Sequence, residues 1–325
     1  MGKLAFIFPG QGAQYVGMGR ELAESYETAR KTFKEADRAL DFHLSRICFE
    51  GPEEELTRTE VTQPALLTVS VAIQRILAEK GILPDVAAGL SLGEYSALVT
   101  AGSISFADAV QVVRQRGKFM QEAVPEGTGT MAAIIGLDRH QVEAICGEVS
   151  DLPEIGGLKG PVVEPANYNC PGQIVVSGHV EAVRKAVELA QSRGARRAVT
   201  LAVSAPFHCS LLHGAARRLA MELALREFKP ARIPVVANVD ARFHQEPLEI
   251  IRALVDQVAG PVRWEESVQA MLRAGVDRFI EVGPGKSLSG FVKRISREAV
   301  VAGVEDPAGM DSALEVIAGA PVHGN

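Results

Sequence analysis

The sequence predicts an α/β fold with a mainly parallel sheet and a small inserted subdomain. Short β-type runs alternate with helical patterns along most of the 325 residues, which is typical of a parallel sheet covered by helices. Between residues 128 and 198 the order changes to β-α-β-β-α-β, the ferredoxin-like order. The chain is 47% hydrophobic, enough for a sizeable core. We therefore expect a large subdomain formed by residues 1–127 and 199–325, and a small one formed by residues 128–198.

The predicted elements before residue 128 alternate between buried strands and helices. They are a strand at residues 4–8, a helix that follows Pro64 and is closed by Gly81, a strand at 86–90, a helix at 93–101, and a helix from its N-cap Ser105 to about Glu122.

The predicted elements of the small subdomain give its ferredoxin-like order. They are strands at 130–137, 162–167, 173–177 and 197–203, with helices at 141–149 and 180–192. Residues 153–157 read as a flexible loop because they combine proline with two glycines. The last predicted strand, at 278–282, returns to the large subdomain and ends in Gly283-Pro284-Gly285.

Composition and charge exclude several classes of function. The net charge of −6, without a basic segment interleaved with aromatic residues, argues against nucleic-acid binding. We find no run of about eighteen apolar residues, so we expect no membrane span, and the apolar run that stops at Pro9 is too short for a signal peptide. The cysteines lack metal-binding or disulfide spacing and suit a reduced cytoplasm; they are Cys48, Cys146, Cys170 and Cys209.

The run Gly89-Leu90-Ser91-Leu92-Gly93 fits the G-x-S-x-G pattern of a nucleophilic serine. An apolar strand precedes it and a helix follows it, which is the context that this pattern needs. The sharp turn exposes the hydroxyl at a helix N-terminus, where the backbone N–H of Leu92 can face a developing oxyanion. The alternative is a serine in an ordinary helix-capping turn. We interpret Ser91 as the nucleophile of an acyl-transfer enzyme.

A nucleophilic serine needs a base, and His208 is the best candidate. It directly follows a predicted strand, in Pro206-Phe207-His208, whereas His213 is a weaker candidate. The other histidines suit surface or packing positions; they are His43, His140, His179, His244 and His323. Three aspartates lie between Ser91 and His208, yet none stands in a motif typical of a triad acid; they are Asp108, Asp138 and Asp151. The sequence therefore predicts a Ser–His dyad.

Two glycine-rich loops fail as phosphate-binding motifs. The first, Phe8-Pro9-Gly10-Gln11-Gly12, would need glycine where Tyr15 stands to match a dinucleotide fingerprint. The second, Gly285-Lys286-Ser287, would need glycine where Ile280 stands to match a P-loop. Both are better interpreted as turns at the carboxyl ends of strands, where open α/β sheets bind ligands. The first loop can supply a second oxyanion donor from the N–H of Gln11.

Arg116 projects from an apolar helix face, because its neighbours one turn away are Val112, Val113, Phe119 and Met120. A buried guanidinium needs a partner, since an unpaired charge is very costly in an apolar environment. One interpretation is an internal ion pair, for which Glu94 is a candidate. The other is that Arg116 grips a substrate carboxylate through two hydrogen bonds.

Together the motifs resemble the malonyl-CoA:acyl carrier protein transacylase family of bacterial fatty-acid synthesis. The resemblance spans nearly the whole chain and rests on these runs in order: Phe8-Pro9-Gly10-Gln11-Gly12, Thr62-Gln63-Pro64-Ala65-Leu66, residues 89–95, Arg116-Gly117, Asn169-Cys170-Pro171-Gly172-Gln173, Pro206-Phe207-His208 and Glu281-Val282-Gly283-Pro284-Gly285. It implies an α/β-hydrolase-like core with a ferredoxin-like insertion. It also implies transfer of malonyl from malonyl-CoA to holo acyl carrier protein through a malonyl-serine.

The resemblance implies a role for each site residue. Ser91 is the nucleophile and His208 its base, and Arg116 clamps the malonyl carboxylate. The N–H groups of Gln11 and Leu92 form the oxyanion hole. The remaining implied residues are Gln63 in the active site, Phe207 as a wall that excludes bulkier acyl groups, and Gln257, whose backbone carbonyl orients the histidine.

One residue departs from the family motif, and several further expectations concern cofactors, oligomeric state and the carrier protein. The family motif commonly has histidine before the nucleophile, whereas Leu90 stands here, so acceptance of acyl groups can be altered. The reaction needs no metal or redox cofactor, and we expect a monomer. The acidic carrier protein is expected to dock on Lys293, Arg294 and Arg297, which we place on the last long helix. The rival functions are a serine thioesterase, a malonyltransferase of polyketide synthesis and a non-catalytic carrier-binding protein.

Overall fold

The structure, a computed structural model, describes residues 2–203 and 205–318. Met1, Ser204 and residues 319–325 lie outside the described residues, and with them His323 and the end of the predicted large subdomain. The strands are β1 (Lys3–Phe8), β2 (Val86–Gly89), β3 (Gly129–Ile135), β4 (Glu154–Ile155), β5 (Leu158–Lys159), β6 (Val163–Cys170), β7 (Gln173–His179), β8 (Arg197–Thr200), β9 (Val235–Val236), β10 (Phe243–His244), β11 (Val276–Val282) and β12 (Val300–Val304).

Helices cover both faces of the larger sheet and one face of the smaller one. They are α1 (Arg20–Ser25), α2 (Glu27–Leu40), α3 (Leu44–Glu50), α4 (Glu53–Leu56), α5 (Thr59–Glu79), α6 (Gly93–Thr100), α7 (Phe106–Gln121), α8 (Arg139–Ser150), α9 (Val180–Ser192), α10 (His213–Leu223), α11 (Pro247–Ala259), α12 (Trp264–Arg273), α13 (Ser287–Ile295) and α14 (Pro307–Ala318).

The larger sheet has the strand order β10-β9-β2-β1-β11-β12, and its strands are parallel except for β10. Phe8 at the end of β1 pairs with Gly89 at the end of β2, and Ile7 pairs with Glu281 of β11. The carboxyl ends of these central strands therefore meet at one edge. The loops that follow them, which carry Gln11, Ser91 and Gly283, lie side by side at this edge.

The smaller sheet is antiparallel, in the order β6-β7-β3-β8, and α8 and α9 pack on one face of it. This is the ferredoxin-like arrangement that the sequence predicts, so the predicted fold class is confirmed. Two backbone hydrogen bonds join strand β6 of this sheet to the large subdomain: Tyr168 donates to Val262, and Val262 donates to Ala166. The sheet is thereby held against the segment between α11 and α12.

Several predicted helix ends agree with the structure because their capping groups are local. The Ser105 hydroxyl accepts a hydrogen bond from the Asp108 N–H at 3.0 Å and begins α7. Helix α9 spans the predicted residues 180–192. Helix α8 begins two residues earlier than predicted, because Asp138 and Gln141 form a reciprocal capping box.

Helix α5 does not follow Pro64 as predicted but begins at Thr59, with Pro64 inside it. Proline removes one hydrogen bond of the helix, yet the residues before it are buried and their packing holds that turn in place. By length and composition α5 is also long and apolar enough to cross a membrane, contrary to the expectation from the sequence. However, 83% of its most apolar window is buried inside the protein, so its apolar surface serves core packing.

Other predicted elements near chain turns need correction. Residues 153–157 do not form a simple loop, because β4 and β5 pair there as a short hairpin. The strand at 278–282 is not the last one, since β12 pairs beside β11 at the sheet edge. Strand β8 ends at Thr200 rather than at 203, because the chain leaves the sheet to approach the site. The cysteines Cys48, Cys146, Cys170 and Cys209 are buried, free thiols.

Candidate active site

The turn between β2 and α6 holds Ser91 in a strained backbone conformation, with φ at 53°. Its flanking glycines are required by close packing. A Cβ on Gly89 would lie 1.9 Å from the backbone of Gly93, and a Cβ on Gly93 would lie 2.1 Å from the carbonyl oxygen of Phe8. The G-x-S-x-G spacing therefore reflects the contact of the turn with β1, and it presents the Ser91 hydroxyl at the start of α6.

The structure brings Ser91 and His208 together, although they are 117 residues apart in the chain. The Ser91 Oγ lies 2.7 Å from His208 Nε2, and His208 Nδ1 lies 2.9 Å from the backbone carbonyl oxygen of Gln257 on α11. The carbonyl can accept only from a protonated Nδ1, so this contact leaves the lone pair of Nε2 directed at the serine hydroxyl. The pair has the geometry of a nucleophile and its base.

Burial, assisted by the nearby positive charge of Arg116, lowers the pKa of His208 to about 4. The imidazole is therefore neutral at neutral pH and can accept a proton. The aspartates between Ser91 and His208 lie in other structural settings. The Asp138 side chain caps the start of α8, Asp151 ends α8 through its backbone N–H, and Asp108 binds Ser105 and Arg226. His213 is exposed at the start of α10.

The Arg116 guanidinium is buried beside the serine and is held by polar side chains. It donates to the Ser91 Oγ at 3.0 Å, to Gln63 Oε1 at 2.9 Å and to Gln257 Oε1 at 2.9 Å. Its Nε has no hydrogen-bond partner among the described residues. The Gln257 amide stands between Arg116 and Glu94, since it also donates to Glu94 Oε2 at 2.7 Å. The Gln257 side-chain amide thus links Arg116 to Glu94, in place of the direct ion pair that the sequence allowed as one interpretation.

Glu94 is the buried acid beneath the nucleophile turn. Burial raises the pKa of its carboxyl to about 7, although hydrogen bonds from Asn238 and Gln257 and the charge of Arg116 oppose the rise. Its Oε2 accepts both the backbone N–H of Asn238 and the side chain of Gln257. The site therefore contains a buried cation and a buried acid that share Gln257.

A cavity of about 480 Å³ opens over the serine between the two sheets. This volume is within the range of small-molecule sites. The predicted residues that line it are Gln11, Gln63, Ser91, Leu92, Arg116, Phe207 and His208. Gln257 lies behind them and reaches the site through its carbonyl and its amide. The small subdomain contributes Met131, Asn167, Asn169 and Val175 to the opposite wall.

The sequence pattern assigned no site role to Asn238, to Asn169 or to the side chain of Gln257. Asn238 and the side chain of Gln257 contact the nucleophile turn. Asn169 lines the cavity, and its buried Oδ1 has no hydrogen-bond partner among the described residues. Asn238 follows the apolar run Val235-Val236-Ala237, and a polar residue directly after a buried strand is a signal in the sequence that could have indicated a site residue. Gln257 sits within a helix, where nothing local distinguishes its amide from a surface group.

Comparison with known proteins decides the family. The model of the acyl transferase domain matches residues 5–310. The chain belongs to the acyl transferase domain family. It is 48% identical over 317 residues to the malonyl CoA-acyl carrier protein transacylase of Bacillus subtilis, covering 98% of both chains, and 49% identical to that of Escherichia coli K12, covering 97% of this chain and 100% of the other.

Solved structures agree with this acyl transferase over nearly its full length. The acyl carrier protein S-malonyltransferase of Vibrio cholerae superposes with a TM-score of 0.91 at 46% identity, covering 96% of this chain and 99% of the other. A malonyl-transacylase in complex with its type II PKS acyl-carrier protein gives a TM-score of 0.92 at 47% identity, with the same coverage. The shared fold includes the hydrolase-like core and the ferredoxin-like subdomain.

Leu90 gives this acyl transferase an apolar side chain directly before its nucleophile. It lines the cavity and packs against the apolar cluster beneath α13. A Cβ on Gly10 would lie 3.0 Å from the Leu90 Cδ2, so this side chain also contacts the loop of Gln11. Leu90 therefore fills the space between the nucleophile turn and the first loop rather than offering a hydrogen bond there.

Proposed function

We propose that this protein transfers the malonyl group of malonyl-CoA to the phosphopantetheine thiol of acyl carrier protein, through a malonyl ester on Ser91. One observation carries the proposal: the Ser91 Oγ lies 2.7 Å from the neutral base His208 and 3.0 Å from the buried cation Arg116. A base at this distance activates the hydroxyl, and a cation beside it favours an acyl group that carries its own negative charge.

The first half of the reaction forms the malonyl ester. His208 Nε2 takes the proton of Ser91 as the Oγ attacks the thioester carbonyl, and the N–H groups of Gln11 and Leu92 stabilise the oxyanion. Each such donor contributes roughly 3 kcal/mol in the transition state. The carbon–sulfur bond then breaks, and His208 returns the proton to the departing thiolate of CoA. The carbonyl of Gln257 keeps the imidazole oriented throughout.

The second half reverses these roles with a new thiol. The phosphopantetheine thiol of the carrier gives its proton to His208 and attacks the ester, and Ser91 recovers its hydroxyl hydrogen. Arg116 binds the malonyl carboxylate in both halves, and its Nε, which lacks a partner among the described residues, is available for that contact. Gln63 holds the guanidinium at 2.9 Å, and Phe207 limits the size of the acyl group.

The chemistry calls for no metal or redox cofactor, because a serine, a base and hydrogen-bond donors suffice for acyl transfer. We place the protein in the cytoplasm as a monomer that supplies fatty-acid synthesis. The alternative is that it supplies polyketide synthesis. A similar malonyl-transacylase has been solved in complex with its type II PKS acyl-carrier protein, which supports this alternative.

The test uses radiolabelled malonyl-CoA followed by holo acyl carrier protein. We expect label to stay on the protein, to move to the carrier when it is added, and to be lost in Ser91→Ala. Ser96→Ala, which removes a buried hydroxyl on the same helix, is the matched control and should label normally. Steady release of free malonate would instead indicate a thioesterase, and absence of labelling a non-catalytic carrier-binding protein.

A further inference from the structure

The side chain of Asn238 contacts the nucleophile turn at the two peptide groups that flank Leu90, directly before the serine side chain. Its Oδ1 accepts the backbone N–H of Ser91 at 2.5 Å, and its Nδ2 donates to the carbonyl oxygen of Gly89 at 2.7 Å. We propose that Asn238 is a positioning residue, which holds the Ser91 hydroxyl in register with His208. The inference rests on the proposed use of Ser91 as the nucleophile.

The turn needs such a restraint because its backbone is strained. A non-glycine residue with positive φ costs on the order of 1–3 kcal/mol and persists only where surrounding contacts enforce it. The two hydrogen bonds of the Asn238 amide fix the two consecutive peptide groups that lead into the strained residue, and the Gln257 amide contacts the peptide group after it. An asparagine is suited to this task, since it offers a donor and an acceptor from a short, rigid side chain.

Asn238 is itself held rigidly. Its side chain is fully buried, its N–H donates to Glu94 Oε2 at 2.9 Å, and its carbonyl accepts from the N–H of Arg263 at 2.8 Å. It follows β9, which pairs in parallel with β2, so its position relative to the turn is set by the sheet. Because both the N–H and the carbonyl of Asn238 are hydrogen-bonded, its side chain holds the nucleophile turn at a fixed position relative to the sheet.

The same polar cluster reaches the base. The Gln257 side-chain Nε2 donates to Glu94 and, at 3.3 Å, to the backbone carbonyl oxygen of Ser91. The backbone carbonyl oxygen of Gln257 faces His208 Nδ1. The Gln257 Nε2 also lies 3.4 Å from Asn238 Oδ1. The nucleophile and the base are thus fixed to one buried frame formed by Glu94, Asn238 and Gln257. Loss of the Asn238 amide loosens the serine relative to the histidine.

Asn238 is not among the described residues that line the cavity, so its removal should affect the rate of acylation more than substrate binding. A misplacement of about 1 Å can cost roughly 100-fold in rate. We expect Asn238→Ala to acylate roughly 10- to 100-fold more slowly than the parent at saturating malonyl-CoA, with KM changed less than about threefold. Asn238→Asp keeps an acceptor for Ser91 but loses the donor to Gly89, and should also be slow.

The experiment is rapid-quench labelling of the full chain with radiolabelled malonyl-CoA. The time course gives the rate of acylation, and the final amount of label per protein molecule gives the fraction of intact active sites. Slow but complete labelling supports positioning. Ser267→Ala, which removes another buried hydroxyl that bonds within α12, is the control and should match the parent. Parental rates in both Asn238 variants, or labelling that is incomplete in proportion to the lost rate, would overturn the inference.

Two further outcomes are also decisive. If Asn238→Ala does not fold, the isosteric Asn238→Asp decides the matter, and failure of both to fold would mean that Asn238 serves the fold and not the nucleophile. Absence of label on Ser91 in the parent would overturn the proposed function itself, whereas a labelled parent with equally fast variants would overturn only the role of Asn238.

Discussion

Ser91 and His208 share a backbone conformation that side-chain-bearing residues rarely adopt, with φ values of 53° and 62°. Such strain is concentrated at functional sites, where the surrounding structure enforces it. The glycines beside Ser91 make its strain readable from the sequence, but no glycine marks His208. The two reactive side chains meet because both residues have backbone dihedral angles outside the regions that most residues occupy.

The first prediction concerns the pH dependence of acylation. Since burial and Arg116 lower the pKa of His208 to about 4, the reactive neutral imidazole predominates well below neutral pH. We expect the rate of Ser91 acylation to be lost as the pH drops through about 4 and not at the ordinary imidazole pKa of 6.5. Protonation of Glu94 near pH 7 is a separate step, because this carboxyl bonds to Asn238 and Gln257 and not to the reacting atoms. Rapid-quench labelling from about pH 8 downwards measures both steps, and complete loss of the rate with a midpoint near 6.5 would contradict the prediction.

The second prediction concerns the acyl group that Arg116 selects. Its buried guanidinium is the cation next to the Ser91 Oγ, and each charge-assisted hydrogen bond to a carboxylate contributes about 1.5–3 kcal/mol. Arg116→Ala should lower malonyl transfer by about 100-fold or more while retaining or raising acetyl transfer. The measurement is kcat/KM for malonyl-CoA and acetyl-CoA.

Arg114→Ala is the control for Arg116, because Arg114 lies on the same helix but donates to the carbonyl of Leu40, on the other side of α7. It should leave the ratio of malonyl to acetyl transfer unchanged. Equal losses of both activities in Arg116→Ala would show that Arg116 serves only the structure.

At the scale of elements, the unit β2–turn–α6 is the part of the chain where local sequence and tertiary contact agree. The strand ends where its partner β1 ends, and the helix begins at Gly93, two residues after the serine. Gly93 lets the first turn of α6 approach β1, since any side chain there would meet the carbonyl of Phe8. The element therefore positions the nucleophile through a close backbone contact and not through side-chain packing alone.

The third prediction tests that contact. In Gly93→Ala the new methyl group would lie 2.1 Å from the Phe8 carbonyl oxygen, so the turn must shift. We expect a loss of about 3 kcal/mol in the free energy of unfolding and a Tm lower by about 4–5 °C. Thermal denaturation followed by circular dichroism measures this, and an unchanged Tm would show that the backbone approach is not needed.

Gly147→Ala is the matched control for Gly93. Gly147 lies inside α8, and a methyl group added there meets nothing within 4 Å. Because alanine favours helix over glycine, this variant should keep the parental stability or gain up to about 1 kcal/mol.

At the scale of the whole molecule, the site exists only because the two sheets face each other across the cavity. The large sheet supplies the nucleophile turn and the first loop, and the small sheet supplies the opposite wall. Helix α13 connects the two sides, since Phe291 lines the cavity and Arg294 donates to Gln173 Oε1 of β7 at 2.8 Å. The mouth of the cavity is thus bordered by α13.

The proposed carrier-docking residues are exposed at this border, but their placement needs correction. Lys293 and Arg294 lie in the last turn of α13, whereas Arg297 lies beyond its end, and α14 follows, so α13 is not the last helix. Positive charges at a helix C-terminus also complement the helix dipole, which gives the two helical residues a structural role as well.

The fourth prediction is that reversing these charges weakens carrier docking. Lys293→Glu, Arg294→Glu and Arg297→Glu together should raise the KM for holo acyl carrier protein by about tenfold, because complementary charge speeds the encounter with an acidic partner. Labelling of Ser91 by malonyl-CoA should change much less. Arg217→Glu, at an exposed position on α10, is the control. An unchanged KM would exclude these residues from docking.

The sequence by itself determined the class of fold, the order of the small subdomain and the nucleophile turn. These follow from hydrophobic periodicity, capping residues such as Ser105, and the glycines beside Ser91, all of which act over a few residues. It also indicated His208 and Arg116, since a histidine after a strand and a cation on an apolar face are locally unusual. The first glycine-rich loop indicated the N–H of Gln11, and the motif resemblance added Gln63, Phe207 and Gln257.

Only the tertiary structure decided which side chains meet and in what state. Asn238 reaches Ser91 from 147 residues away, and the amide of Gln257 separates Arg116 from Glu94, where the sequence suggested a direct ion pair as one possibility. Strand order in a parallel sheet sets these neighbours, and local patterns do not encode strand order. The low pKa of His208 likewise comes from burial by distant segments. The reactive groups were readable locally, whereas their spacing and protonation depend on the packed whole.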